Sequence, residues 1–307
     1  MPLHIFGKRV RRCIHSRFLR TESLRVSVFD YHLYVPLLSL GMGRALAGIG
    51  YRELDQRYIL QRVVQSGDVI LDLGANIGYY VAMYGQLLGG KGSVYAVEPD
   101  PRSVPFLRKN IELNELGEMV TVDCSALSDT TGIAPFFQAE HPNLSGLSIS
   151  RLARRYTGTI PVPVQDFAEY LGSLGKRVDL LRMDIEGQEV EVLRSLARSL
   201  RCGTLGVPPP EAIVFEPHAW EYTGSDMEET LCELFRWGYR AAFLGTAHEA
   251  FSPLLALGYE PRAIIYSNDH LAGDYVHGVY EGVRNPDAIR VIAGSPGITT
   301  VCLRRNG

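Results

Sequence analysis

Four residues in two short stretches carry groups that can take a proton from a weak nucleophile. Asp184 and Glu186 stand in Asp184-Ile185-Glu186-Gly187, and Glu216 and His218 stand in Phe215-Glu216-Pro217-His218. Both stretches follow an apolar run, so a carboxylate or imidazole closes each run where a strand would end. A carboxylate or histidine placed beside a hydroxyl acts as a general base. Each residue also has a plainer use. Asp184 can cap the next helix, Glu186 can be a first-turn acid favoured by the helix dipole, Glu216 can cap a turn, and His218 can be a core or surface histidine. Asp184, Glu186 and Glu216 are oxygen ligands of the kind magnesium takes, but the sequence assigns them no metal.

A second constellation lies upstream, in Asp72-Leu73-Gly74-Ala75-Asn76-Ile77-Gly78. It falls between an apolar run and a helical stretch. A nucleotide-like ligand at such a turn needs close backbone approach, which Gly74 and Gly78 allow. Asn76 tolerates left-handed geometry. Glu98, in Val97-Glu98-Pro99-Asp100, closes the next apolar run and can accept both hydroxyls of a ribose. The spacing is Asp-x-Gly-x-x-x-Gly and not the Gly-x-Gly-x-x-Gly of dinucleotide sites. Asp72 would repel a pyrophosphate but suit a cationic centre with an amino-acid tail. These features point to S-adenosylmethionine. Its adenine is expected near Cys124, Ser125 and Ala126, where small side chains leave room and the contacts come from backbone.

The elements that must position these residues alternate. Strands are expected over 68–73, 93–98, 119–124, 178–184 and 212–216, and helices over 77–88, 103–114, 189–200 and 227–237. Strands spaced by single helices imply parallel pairing. The run Val69-Ile70-Leu71 suits a central strand covered on both faces. The expected fold is α/β, a doubly wound, mostly parallel, Rossmann-like sheet with ligands at the carboxyl ends of its strands. Two segments fit less well. The polar stretch 138–159, with Arg151, Arg154 and Arg155, reads as a lid or a surface insertion. Residues 240–244 and 298–303 read as an antiparallel pair at the sheet edge, with an insertion between them.

The motifs DLGANIGYY (72–80), VEPD (97–100), ALSD (126–129), DLLRMDIEG (179–187) and FEP (215–217), with Tyr51-Arg52-Glu53 upstream, resemble the FkbM-type methyltransferase family from about residue 51 to residue 239. The resemblance implies a class I methyltransferase fold and transfer of methyl from S-adenosylmethionine to a hydroxyl of a sugar, glycolipid or natural product. The family often has Lys-Ile-Asp where this chain has Arg182-Met183-Asp184.

Composition sets the remaining bounds. The chain has 307 residues, 46% hydrophobic and 21% charged, as in a globular domain. Seven Lys and Arg against Glu22 give residues 1–25 a charge of +6. That leaves −9 on the rest of a chain whose total is −3. Leu3, Phe6, Val10, Ile14 and Phe18 recur at helical spacing, so this arm reads as amphipathic, with peripheral contact to an anionic membrane as one use. Residues 26–307 read as a single cofactor-binding domain, with a core at about 51–245 and an extension over 246–307. The acidic body disfavours a broad nucleic-acid face, and Asp-Ile-Glu-Gly lacks the proline and aromatic of a base methylase. A nucleic-acid methyltransferase and a non-catalytic membrane-associated binder remain as alternatives. Five scattered cysteines without a Cys-x-x-Cys pair fit a cytoplasmic setting.

Overall fold

The computed structural model describes residues 23–36, 46–48, 50–150, 153, 155–247, 251–269, 273–294 and 297–305. The basic arm therefore lies outside the described residues, except for residues 23–25. So do Arg151 and Arg154.

A nine-stranded sheet organises the chain. Its parallel part runs β10 (Ala212–Phe215), β9 (Leu180–Met183), β3 (Val69–Leu73), β4 (Ser93–Val97) and β5 (Val120–Asp123). The chain leaves β3 in one direction through β4 and β5, then returns to fill β9 and β10 on the other side. The order reverses between β3 and β9, which opens a crevice at their carboxyl ends. Helices cover both faces. Leu71, Leu73, Leu181, Met183, Ile213 and Phe215 face one way, against α5 (Glu189–Cys202) and α6 (Gly224–Arg236). Ile70, Leu180, Ala212 and Val214 face the other way, against α1 (Leu54–Val63) and α2 (Tyr79–Leu88). Strand alternation with both faces buried explains the near-continuous apolar runs of these strands. The doubly wound α/β class expected from the sequence is the one observed.

Beyond β10 the pairing turns antiparallel, in the order β14 (Ile298–Arg305), β11 (Tyr239–Ala247), β13 (Gly273–Glu281) and β12 (Ala263–Asp269). The expected pairing of 240–244 with 298–303 is present, but not at the sheet edge. Strand β14 lies between β10 and β11, and the intervening residues add a hairpin outside them. The polypeptide after 246 is thus woven into the same sheet.

Two smaller sheets were not anticipated. A hairpin, β1 (Ser23–Val28) with β2 (Tyr31–Pro36), packs on α3 (Val104–Leu113). The buried Asn110 fastens it: its side-chain amide donates to Tyr34 O and Ile77 O, and its carbonyl accepts from Tyr34 N. Strands β6 (Ala126–Ser128), β8 (Tyr156–Asp166) and β7 (Gly132–Ala139) make a second sheet in that order. The stretch expected as a lid is in part the end of β7 and the start of β8. The loop between them contains a 3₁₀ turn at Pro142–Leu144 and returns to the crevice. Among the described residues no helix is long and apolar enough to cross a membrane.

Candidate active site

The crevice between β3 and β9 deepens into a cavity, and the chemistry-bearing residues reach it from four strand ends. After β3 the chain turns sharply, with φ of +79° at Gly74, +50° at Asn76 and +86° at Gly78. Gly74 N and Ala75 N both donate to Val97 O, which holds the turn against the end of β4. Glu98, only 6% exposed, ties the same two turns by its side chain. One carboxylate oxygen accepts from Asn76 N at 2.7 Å and the other from Asp100 N at 2.8 Å. Each oxygen keeps further acceptor capacity, and Glu98 lines the cavity. Burial pushes its pKa up to about 7, against those two backbone donors.

Asp72 behaves differently from the sequence expectation of a carboxylate presented to a cation. It is fully buried beneath the cavity and is absent from its lining. The parallel register sets Asp72 directly beside Arg182 on the neighbouring strand, and the guanidinium meets Asp72 Oδ1 at 3.3 Å. Arg182 also donates to Asp184 Oδ2 at 2.9 Å and to Gln56 Oε1 at 3.0 Å, and lies 3.9 Å over the Tyr80 ring. Complete burial raises Asp72 to about 6 despite Arg182. Of the other expected cofactor residues, Gly74, Asn76 and Ala126 line the cavity, whereas Gly78 and Ser125 do not. Gly78 is the left-handed N-cap of α2, and the Ser125 hydroxyl accepts from the Gln165 side chain.

The four candidate catalytic residues come together. Asp184 N donates to Leu73 O, so the end of β9 abuts the glycine turn. Phe215 pairs with Met183, which puts Glu216 beside Asp184. His218, 3% exposed, reaches back so that Nε2 lies 3.6 Å from Glu186 Oε2 and 3.9 Å from Asp184 Oδ1. Its other nitrogen, Nδ1, sits 3.0 Å from Glu189 Oε1. Glu189 is completely buried and also accepts from Ile185 N and Gly187 N, which locks the Asp-Ile-Glu-Gly turn and the imidazole in one frame. The cluster is rich in acids whose burial resists their ionisation. Burial raises Glu216 to about 8, with Asp184 adding to the rise, and burial raises Glu186 well above the usual range, with His218 opposing. Burial works against the imidazolium of His218, but Glu189, Glu216 and Glu186 outweigh it and hold its pKa well above normal.

Several cavity residues escaped the sequence reading. Tyr79 Oη binds both the N–H and the carbonyl of Arg52, the Tyr80 hydroxyl donates to Glu53, and Arg52 pairs with Glu53 at 3.0 Å. Tyr51-Arg52-Glu53 stands out in sequence as a motif, but no spacing announces that the two tyrosines after Gly78 anchor it. Glu189 is hidden in the same way, since nothing local separates a buried locking acid from an ordinary first-turn acid. The far wall is the loop around Ser145, whose hydroxyl accepts from Arg102 while Arg102 pairs with Asp100 at 2.6 Å.

The family described as "Methyltransferase FkbM domain" matches residues 72–241, more than half of the chain. The chain belongs to the FkbM methyltransferase family. The matched stretch runs from the aspartate of the glycine turn through β10 and α6, so the FkbM domain contains every strand end that reaches the cavity. Two curated relatives agree. "Methyltransferase 1" of Beauveria bassiana is 28% identical over 145 residues, 41% of this chain and 57% of that protein. "Methyltransferase sdnD" of Sordaria araneosa is 28% identical over 162 residues, 43% of this chain and 61% of that protein. The chain thus matches less than two thirds of the length of either. A solved S-adenosylmethionine-dependent methyltransferase from Agrobacterium tumefaciens aligns over 85% of this chain and 70% of its own, at 11% identity and a TM-score of 0.45. The fold assignment rests instead on the strand order. The cofactor of an FkbM domain is S-adenosylmethionine. The residues fit it, because Glu98 offers spare acceptor capacity for hydroxyls and the acids around Asp184 offset a sulfonium charge.

Proposed function

We propose that this chain transfers a methyl group from S-adenosylmethionine to a hydroxyl oxygen of a small hydroxylated acceptor such as a sugar, a glycolipid or a natural product. One observation carries the reading: a single cavity is lined both by the glycine turn with Glu98 and by Asp184, Glu186, Glu216 and His218. When bound, the cofactor supplies an electrophilic methyl on a sulfonium centre. Glu98 and the turn at Asn76 hold the ribose, and Gly74 and Ala126 let backbone approach the nucleoside. Asp72, Gly78 and Ser125 contribute by shaping these turns. The acid–imidazole cluster orients the acceptor hydroxyl and takes its proton, and the loop at Ser145 with Phe136 and Leu144 limits water. Alignment of the reacting groups supplies much of the acceleration, since orientation alone is worth roughly 7–11 kcal/mol.

Calorimetry should show binding of S-adenosylmethionine and none of NAD. Incubation of cell extract with tritiated methyl donor should label a lipid, polysaccharide or small-metabolite fraction. Label confined to RNA would overturn the acceptor class. In Asp184→Asn, methyl transfer should fall by about 10²–10⁴-fold, with cofactor affinity nearly unchanged. Full activity in this variant would remove Asp184 from the chemistry.

A pH effect follows from Glu98. Its raised pKa means the free protein loses stability as pH climbs from 4.5 to about 7. A ribose diol donates best to the ionised form, so cofactor affinity should rise over the same interval and level off above it. One unit below the pKa the affinity should be about tenfold weaker. Calorimetric titrations across this range should show the slope in the native protein and a flat profile in Glu98→Gln. An identical slope in both would assign the titration to another group.

A further inference from the structure

The groups around Asp184 are arranged for something that hydrogen bonds among them do not supply. Asp184, Glu186 and His218 each offer one ligand atom, and those atoms all lie within 4.8 Å of one another. Glu186 is 9% exposed, and its Oε2 has no hydrogen-bond partner. It faces His218 Nε2 at 3.6 Å, and Asp184 Oδ1 faces the same nitrogen at 3.9 Å. These gaps are too long for hydrogen bonds. Atoms bound about 2.1 Å from one ion at angles near 90–110° lie roughly 3 to 3.5 Å apart, so the three side chains would draw together around a cation, the pairs at 3.6 and 3.9 Å by a few tenths of an ångström and the set as a whole from within 4.8 Å. The second nitrogen of His218 is held by Glu189 at 3.0 Å. A carboxylate behind an imidazole fixes the tautomer and aims the free lone pair, the arrangement that metal-ligating histidines use.

Charge points the same way. Glu53, Asp184, Glu186 and Glu216 line this end of the cavity, with Glu189 and Asp72 buried behind it. The guanidiniums of Arg52 and Arg182 stand beside them, and the His218 imidazole lies among the acids. Carboxyl groups crowded together in a buried place ionise only beside a counter-charge. A sulfonium answers a single negative charge.

We propose that Asp184, Glu186 and His218 form a binding site for a divalent metal ion at the acceptor end of the cavity, with Mn²⁺ suited to two carboxylates and one imidazole. The proposal rests on the methyl-transfer reading given above. It reassigns His218 from base to ligand and replaces Glu216 by His218 in the oxygen-only set that the sequence offered. Three protein ligands leave coordination positions open toward the cavity, as in catalytic metal sites. An acceptor hydroxyl bound there loses its proton more readily. Glu216, outside the ligand set but lining the same cavity, receives that proton when it is ionised.

The test is equilibrium binding of Mn²⁺ to the full chain after removal of metals with EDTA, followed by the loss of the free-ion resonance. Saturable binding of one ion per chain is expected, competed by Mg²⁺ or Zn²⁺. Glu186→Gln and His218→Gln should each weaken it at least about tenfold while the protein stays folded and still binds S-adenosylmethionine. Wild-type protein that binds none of the three ions more tightly than about 1 mM would overturn the site, as would variants that bind Mn²⁺ like wild type. A cofactor titration in EDTA separates the two readings. Cofactor binding without any metal binding overturns the metal site alone, whereas failure to bind the cofactor overturns the methyl-transfer reading itself.

Discussion

Gly74→Ala should abolish cofactor binding and cost about 3–5 kcal/mol of stability. A Cβ built on Gly74 would sit 2.0 Å from the carbonyl oxygen of Asp184 and 3.0 Å from its carbonyl carbon. Neither atom belongs to a flexible side chain that could move away. Both belong to backbone at the end of β9, and Asp184 N is itself bonded to Leu73 O. To relieve the clash, β9 must part from β3, which would displace Asp184 and reopen the packing of Leu73 and Met183. The backbone adds its own penalty, since φ at Gly74 is +79°. Gly67→Ala is the control. Gly67 has φ of +96° but nothing within 4 Å of its Cβ, so it should show only the left-handed cost of about 1–2 kcal/mol. Denaturant unfolding of the two variants measures the difference. Equal losses would mean that the contact between β3 and β9 is looser than described.

Arg182→Met should be comparably damaging, at about 3–5 kcal/mol. Its guanidinium is 1% exposed, serves Asp72, Asp184 and Gln56 together, and packs on Tyr80. Methionine keeps much of the packing volume and removes the charge. The completely buried Asp72 is then left with no cation, and its Oδ2 already lacks a hydrogen-bond partner. An acid in that position holds its proton more tightly, so its folded pKa climbs further above the unfolded value. Such a group takes stability away as pH rises. The deficit of Arg182→Met should therefore shrink toward pH 4 and grow toward neutrality, and the double variant Asp72→Leu/Arg182→Met should recover most of it. Urea titrations at several pH values read both effects. A pH-independent deficit, or no recovery in the double variant, would show that Arg182 acts through packing alone. The guanidinium reaches Asp72, Asp184 and Gln56 at once because it is planar and offers several donors.

The parts of the fold that were legible share one property: their signals are local and repeat. Val69-Ile70-Leu71, the amphipathic stretch from Glu189 and the turn from Asp72 to Gly78 each combine apolar periodicity with glycine punctuation. The parts that were missed lacked such signals. The β1–β2 hairpin turns at Phe29-Asp30, with φ of +49° on Phe29, and this pair lacks the glycine that marks a tight hairpin in sequence. Strands β7 and β8 carry Pro135, Pro161 and Pro163, and Pro135 pairs opposite Pro161. Proline inside a run weakens a strand assignment unless edge positions are known. The placement of β14 between β10 and β11 depends on contacts across more than fifty residues, for which no short window holds information.

The same division runs through the candidate site. The sequence by itself determined which strand ends carry acids and glycines and the cofactor class they suit, because parallel strands joined by helices must all present their carboxyl ends to one edge. The tertiary structure alone decided which way those acids point. Register between β3 and β9 turned Asp72 inward to Arg182, away from the ligand. A buried Glu189, three residues beyond Glu186, oriented His218 toward Asp184 and Glu186. Side-chain direction and desolvation are properties of neighbours brought together from distant parts of the chain, and residue types at fixed spacing do not encode them.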